Sequence, residues 1–385
     1  MKTRLNRQHF HQIVVSVVGF LLGPILKWMY AFRTDRKMRI DGPYLLLANH
    51  VTAADPVLIC LSFSRQMYIV ADEHLMQKGF ASRLLRLFFD PIIRRKGDSA
   101  VTAVKEILAC LKAGLNVCIF PEGTCSFDGT NSPMLPTIGK LAKTCGATLV
   151  TYRFEGGFFT LPRWGRGIRR GSYYGHVEHI YTPDTLRQMS AAEINGHIAE
   201  DLKENAYDRI RSEPVRYKSR RRAEWLESAF FLCPSCRNVG TLRSSGETVL
   251  CETCGASGVL DAQYTLHGLP ISTLAEWERF ENNWLGEQIE QEEFAFADGD
   301  AVLIQTDARH RRKVLCSGPL RMDRHALTVG AFSFPLSEMA GMEIVRKNLL
   351  VFSTQDAFYQ VTGGKSLCTR KYFQFYRLLK GETLS

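Results

Sequence analysis

The apolar positions of the chain fall into short continuous runs, separated by segments in which they recur every three or four residues. The first pattern is that of strands buried on both faces, the second that of helices packed by one side. Strands are predicted at 44–49, 67–71, 91–95, 117–120 and 147–153, with helices between them. The clearest helix spans 99–113, with Val101, Val104, Ile107, Leu108 and Leu111 on one face and Gly114 placed to end it. Another opens on a capping box, Ser190 with Glu193, and is expected to run to about Arg211. Strand and helix in alternation predict an α/β domain over 37–212, a mixed sheet flanked by helices.

The two ends depart from that pattern. Residues 12–26 carry no charge, and base flanks them on both sides: Lys2, Arg4 and Arg7 before, Lys27, Arg33, Arg36, Lys37 and Arg39 after. A bilayer crossing needs about 20 apolar residues, and this run also contains Gly23-Pro24. A membrane-associating helix within 1–36, interfacial or re-entrant, is therefore expected over a simple span, with an ordinary buried helix as the alternative. No small-residue cleavage site follows it, so no signal peptide is read. Toward the other end, apolar runs at 301–305, 326–334, 349–352 and 357–361 precede an amphipathic segment near 372–380. They predict a small β-rich domain, 261–385, closed by a helix. A dense basic run at 209–222 leads into a linker at 213–228, either solvated or a patch for anionic lipid, at roughly 1 kcal/mol per basic residue.

Composition narrows the class. Of 385 residues, 45% are hydrophobic and 11% aromatic, which excludes global disorder and leaves room for more than one core. The net charge of +10 favours an anionic partner without choosing among nucleic acid, membrane and phosphorylated substrate. Seven of the eleven cysteines stand apart and the total is odd, which does not make a disulfide framework and suits a reducing compartment.

The remaining four form two pairs, Cys233 with Cys236 and Cys251 with Cys254, each with a two-residue spacer and with fourteen residues between the pairs. Such knuckles aim four thiolates at one tetrahedral ion, so a zinc ribbon over 229–260 holding one structural Zn²⁺ is expected. Redox-active pairs are the alternative. Stacking platforms for bases are not evident between Cys233 and Cys254, so nucleic acid is not expected as a partner.

Two strand ends carry chemistry. At the first, Asn49-His50 is followed by Asp55-Pro56 at the start of a helical pattern. Acyl transfer to an alcohol needs a base for the hydroxyl proton, and a neutral imidazole serves near pH 7. The five-residue offset lets Asp55 reach back to the other ring nitrogen of His50. At the second, Phe120-Pro-Glu-Gly-Thr-Cys-Ser126 forms a polar turn shaped by Pro121 and Gly123. There Glu122 offers a carboxylate for hydroxyls, while Thr124 and Ser126 offer donors for phosphate oxygens. Between them, the run from Pro91 ends in Arg94, Arg95 and Lys96, where a guanidinium can clamp phosphate.

Taken together and in this order, these residues resemble the glycerolipid acyltransferase family that includes the lysophosphatidate acyltransferases, over about residues 12–210. The Asn-His-x4-Asp motif is matched by Asn49, His50 and Asp55, the arginine motif by Arg94 or Arg95, and Phe-Pro-Glu-Gly-Thr-x-Ser by Phe120 to Ser126. The resemblance implies that His50, paired with Asp55, deprotonates an acceptor hydroxyl that attacks an acyl thioester directly, with no covalent acyl-enzyme and no catalytic cofactor. It implies acceptor binding by Arg94, Glu122 and Gly123, with Asn49, Arg95, Thr124 and Ser126 completing the expected set. Acyl-CoA or acyl carrier protein would bring the acyl group, and lysophosphatidate would accept it, in phospholipid biosynthesis on the cytoplasmic face of a bacterial inner membrane. Glycerol 3-phosphate or another lysolipid is the alternative acceptor, and a silent zinc-ribbon scaffold the alternative class. Two departures stand out: Leu149 to Arg153 lacks the family's proline after a hydrophobic strand, and Val51 and Thr52 replace the commoner polar pair. The segment 156–164, with Arg166, Arg169 and Arg170, is either a membrane-facing loop or a plain surface hairpin.

Overall fold

The computed structural model describes residues 2–35, 38–72, 80–94, 100–307, 311–345, 347–354, 357–364 and 367–382, and it divides into two compact units. The first comprises residues 1–162 and 168–218, the second 163–167 and 219–385.

The first unit opens on helix α1, Lys2–Tyr30, which runs through Pro24 without a break. Then follow β1 (Phe32–Thr34), β2 (Tyr44–Ala48), the single turn α2 (Asp55–Leu58), β3 (Met67–Asp72), α3 (Phe80–Phe89), β4 (Ile92–Arg94), α4 (Ala100–Lys112) and β5 (Asn116–Ile119). After them come α5 (Ile138–Thr144), β6 (Thr148–Glu155), the single turn α6 (Gly157–Thr160), β7 (Tyr173–Tyr181), α7 (Pro183–Gln188), α8 (Ala191–Asp201) and α9 (Ala206–Ser212). The seven strands form one sheet in the order β1-β7-β6-β2-β5-β3-β4. All neighbours run parallel except β6 and β7, so the sheet is mixed.

The five predicted strands are all present. The sheet gains β7 and β1, which the apolar pattern did not announce, because β7 carries His176, Glu178 and His179 among its apolar residues. Strand β2 lies at the centre, with Leu45 paired to Val117 and Leu149 on its two sides. Leu45 and Leu47 face a core completed by Ile107 and Leu111 of α4, Leu141 of α5, and Ile194 and Ile198 of α8. In α4, Val104 and Leu108 pack against this core while Val101, in the first turn, is exposed. Gly114 follows at φ +80°, the left-handed conformation that ends a helix without strain only for glycine. The predicted helix to Arg211 is two helices. The chain breaks at 202–205 because Asn131 accepts from the Glu204 N–H (2.5 Å) and Asn205 caps α9 through the Tyr207 N–H (3.0 Å).

The opposite face of the sheet is aromatic: Phe32, Tyr152, Phe154 and Tyr173 pack with ring centroids 5.0–6.1 Å apart. Within 156–162 the aromatic side chains point inward, with Phe158 and Phe159 fully buried, so that they offer no membrane-facing surface. Helix α1 docks along the unit. Arg4 donates to the Asp90 and Pro91 carbonyls (3.1 and 2.9 Å) and pairs with Asp90 and Glu106. Further along, His11 bridges the Tyr68 hydroxyl (3.1 Å) and the Leu87 carbonyl (3.2 Å), and Gln12 accepts from the Gln66 N–H (2.7 Å). Its remaining face is apolar and exposed, with Phe20 at 80% and Trp28 at 65%. Leu84 and Leu87 of α3 are also exposed.

The second unit begins with the cysteine knuckles and a four-stranded antiparallel sheet, β8 (Leu242–Ser245), β9 (Thr248–Cys251), β10 (Ser257–Leu260) and β11 (Leu266–His267). Helix α10, Leu274–Ile289, follows a Thr273–Glu276 capping box. Its Glu281 accepts from the Phe231 and Leu232 N–H groups (2.6 and 2.8 Å), and its Trp277 indole donates to the Leu232 carbonyl (2.9 Å), bracing the first knuckle. Seven antiparallel strands come next: β12 (Phe296–Thr306), β13 (Arg312–Met322), β14 (Ala326–Val329), β15 (Phe332–Pro335), β16 (Gly341–Val345), β17 (Leu349–Ser353) and β18 (Phe358–Gly363). They are ordered β15-β14-β13-β12-β18-β17-β16, so the first strand pairs with the last. Helix α11, Thr369–Leu379, closes the chain and buries Tyr372, Phe375 and Tyr376. A β-rich region ending in a helix is what the sequence predicts, although α10 was not foreseen.

Candidate active site

Strands β2 and β5 are parallel neighbours, so the loops after them open at the same sheet edge, where α/β sheets gather ligands. Asp55 starts α2 with Pro56 at its first turn and is fully buried. Its Oδ2 lies 3.0 Å from His50 Nδ1 and accepts from the Val51 and Thr52 N–H groups at 2.7 and 2.9 Å. Its Oδ1 accepts from the Thr52 hydroxyl at 2.5 Å and from the Tyr173 hydroxyl. Thr52, a departure from the commoner motif, thus serves the carboxylate directly.

With Nδ1 engaged by Asp55, Nε2 is the nitrogen left to react. The half-buried His50 ring stacks on Phe120 with centroids 4.4 Å apart, which fixes its plane. Nε2 faces the Cys125 Sγ at 3.5 Å. Burial works to lower the pKa of His50, but the Cys125 sulfur and the Asp55 carboxylate outweigh it and hold the imidazole well above its usual value.

In the loop after β5, Glu122 is buried. Its Oε1 accepts from the His50 N–H (2.9 Å) and the Asn131 amide (3.1 Å), and its Oε2 from the Ser132 N–H (2.7 Å). Burial pushes its carboxyl up to about 7 against these three donors. Gly123 sits at φ +67°, a conformation that costs glycine little. A Cβ there would lie 3.8 Å from the Arg94 guanidinium, so the end of β4 and this turn share one corner. Thr124 is half-exposed beside it.

The other predicted residues point inward or lie elsewhere. The Asn49 amide donates to the Phe154 carbonyl (2.8 Å) and accepts from the Phe154 N–H (2.7 Å), clamping the end of β2 to β6. The Ser126 hydroxyl bonds Asp128 and the Gly129 N–H (3.3 and 2.9 Å), while its own N–H donates to the His50 carbonyl. Arg95 falls outside the described residues. Where the resembled family carries a proline, β6 continues to Glu155 while β7 bulges at Glu178, opposite Thr151 and Tyr152, and the Thr151 hydroxyl donates to Asp201 (2.8 Å).

Tyr173, Asn131 and Glu204 escaped the sequence reading. Glu204 lines the small cleft beside His50 with Glu122 and Asn131, and burial pushes it up to about 7 as well. Tyr173 lies 118 residues from Asp55 and no local spacing could have paired them. Cys125 stood within the motif itself, where its position at the variable place gave the only signal.

In the second unit Cys233, Cys236, Cys251 and Cys254 bring their sulfurs within 4.8 Å of one another. The Cys233–Cys254 and Cys236–Cys251 separations, 3.8 and 3.7 Å, suit the edge of a tetrahedron drawn at a Zn–S distance of about 2.3 Å. The cluster is therefore compatible with a structural zinc site.

A His-Asp dyad at the open edge of a mixed α/β sheet, with an arginine and a glycine turn beside it, defines a class of site suited to base-assisted group transfer. Residues 30–155, all within the first unit, match the Acyltransferase family model. Over that third of the chain the protein is similar to acyltransferases. Among solved structures, the chain is similar to the 1-acyl-sn-glycerophosphate (LPA) acyltransferase PlsC from Thermotoga maritima, at 18% identity and a TM-score of 0.43, covering 51% of this chain and 81% of that one. It is also similar to the N-terminal PH domain of the human ARAP2 protein, at 11% identity and a TM-score of 0.19, covering 24% of this chain and 84% of that domain.

Proposed function

We propose that the protein is an O-acyltransferase of the membrane surface that moves a fatty acyl group from acyl-CoA or acyl-ACP to the hydroxyl of lysophosphatidate. The observation that carries this reading is the His50–Asp55 contact of 3.0 Å beside the corner formed by Gly123 and Arg94. The acceptor hydroxyl approaches Nε2, which takes its proton as the oxygen attacks the thioester carbonyl. The departing thiolate then receives that proton from the imidazolium, which Asp55 stabilises throughout. Arg94 binds the acceptor phosphate, with the Gly123 turn and Thr124 beside it.

Glu122 acts mainly by position, because its oxygens already hold the His50 N–H and the loop that follows. Asn49 and Ser126 likewise fix the two loops against each other. This refines the expectation that all three touch the acceptor.

Helix α1 supplies the membrane contact. The segment Arg4–Tyr30 is long and apolar enough to cross a bilayer. Yet Arg4, His11 and Gln12 are bonded to the unit, so a crossing would strip those contacts or drag them into lipid at a cost of several kcal/mol. Lying in the interface keeps them and buries the exposed face around Phe20 and Trp28. The four cysteines would hold one structural Zn²⁺.

Protein in vesicles, given a panel of lysolipids with each thioester donor, should yield phosphatidate from lysophosphatidate, identified by mass. His50→Ala should abolish labelled product while folding and vesicle binding persist. Retained turnover in that variant would exclude the mechanism.

A further inference from the structure

The variable position of the Phe120–Ser126 turn holds a thiol, and the fold presses it against the base. Cys125 Sγ lies 3.5 Å from His50 Nε2, His50 Nδ1 lies 3.0 Å from Asp55, and Phe120 holds the ring flat between them. Thiol, imidazole and carboxylate in line are the arrangement that activates a sulfur nucleophile. The other isolated cysteines differ. Cys110, Cys118, Cys145 and Cys368 are buried, while Cys60 and Cys316, half-exposed like Cys125, donate to the Pro56 and Val329 carbonyls, each at 3.3 Å.

We propose that Cys125 is a modification site: a thiol activated by His50 that reacts with soft electrophiles, hydroperoxides among them, and whose modification closes the base to the acceptor. The loss of transfer rests on the function proposed above, whereas the reactivity of the thiol does not. The sulfur gives its proton to Nε2 and attacks as the thiolate. With a hydroperoxide, a sulfur–oxygen bond forms and the O–O bond breaks. Cys125 is then oxidised to the sulfenic acid, and the peroxide is reduced to water or alcohol with the proton returned by the imidazolium. Either product places new atoms where the acceptor hydroxyl must meet Nε2. The physical reason is distance, since a substituent on a sulfur only 3.5 Å away fills that approach.

Iodoacetamide is the probe, read by peptide mass spectrometry on the folded full chain. Its carbon bonds to sulfur, iodide leaves and the proton stays on His50. Cys125 should be alkylated at least tenfold faster than Cys316 in the same molecule, and His50→Gln should bring the two rates within about threefold. Comparable rates in the native protein would overturn the proposal without recourse to any variant. Alkylated protein should lose more than nine-tenths of its transfer rate, while Cys125→Ser, whatever rate it starts from, should keep that rate after the same treatment. A Cys125→Ser protein that the reagent inactivates as fast as the native chain would also overturn it. If untreated protein transfers to no acceptor, the functional reading fails and the ratio of labelling rates still decides the thiol.

Discussion

Asp55 accepts from two backbone N–H groups and two hydroxyls, and its remaining contact holds His50 in a single tautomer. Asp55→Asn would place an amide against Nδ1 and reverse that bond. We expect transfer to fall by about 10³- to 10⁴-fold at constant folding, measured by initial rates. Because the raised pKa of His50 keeps it protonated at low pH and the base must be neutral, activity should climb as pH rises through a value above the usual imidazole range. The sign for stability is opposite. A pKa raised on folding stabilises the folded state fully below the unfolded value of about 6.5, and that gain is lost as pH rises through the folded value. Tyr173→Phe removes a donor from Asp55, so that more of the carboxylate's charge is left to hold the imidazolium. The acid limb of the pH–kcat/KM profile should move to higher pH, and an unmoved limb would deny the tyrosine a part in tuning. His50 and Asp55 were legible in the sequence because their contact is local. Tyr173 was not, because only the pairing of β7 with β6 brings it under the dyad.

Among the elements, those buried on both faces were readable, because a short apolar run such as 44–48 has few other uses. Edge strand β1 and the mixed-polarity β7 were not. The break between α8 and α9 was hidden too, since no glycine or proline marks it and the cause is Asn131, reaching in from a distant loop. The sequence marked α1 by a fifteen-residue uncharged stretch with base on both flanks, and the helix itself, Lys2–Tyr30, spans about 43 Å at 1.5 Å per residue. Its polar tethers lie toward one end and its exposed apolar side chains along the rest. Phe20→Glu with Ile25→Glu should weaken vesicle binding at least tenfold in flotation assays, from about 2 kcal/mol of burial lost per side chain. The melting temperature in buffer should not change, since both side chains are exposed.

At the scale of the whole molecule, the chain divides into two units, and the paired cysteines fall in the second. What spacing could not convey is that the knuckles, α10 and the β-rich region make one unit. Glu281 and Trp277 of α10 hold the chain just before Cys233, and Arg370 of α11 pairs with Glu278 of the same helix. Metal analysis should return one zinc per chain. A chelator should alter the fluorescence of Trp277, stacked on Phe230 with centroids 5.0 Å apart, and lower the melting transition of the second unit. An unchanged spectrum in protein shown to be metal-free would remove zinc from the account.

On the function proposed above, the tethers that hold α1 against its own unit also decide how the substrate must be counted. An enzyme laid sideways in a leaflet meets its acceptor by diffusion in two dimensions, so its rate should follow the mole fraction of lysolipid in the sheet of lipid around it. Diluting that lysolipid with inert phospholipid should slow turnover, whereas adding buffer at fixed lipid composition and fixed thioester concentration should leave it unchanged.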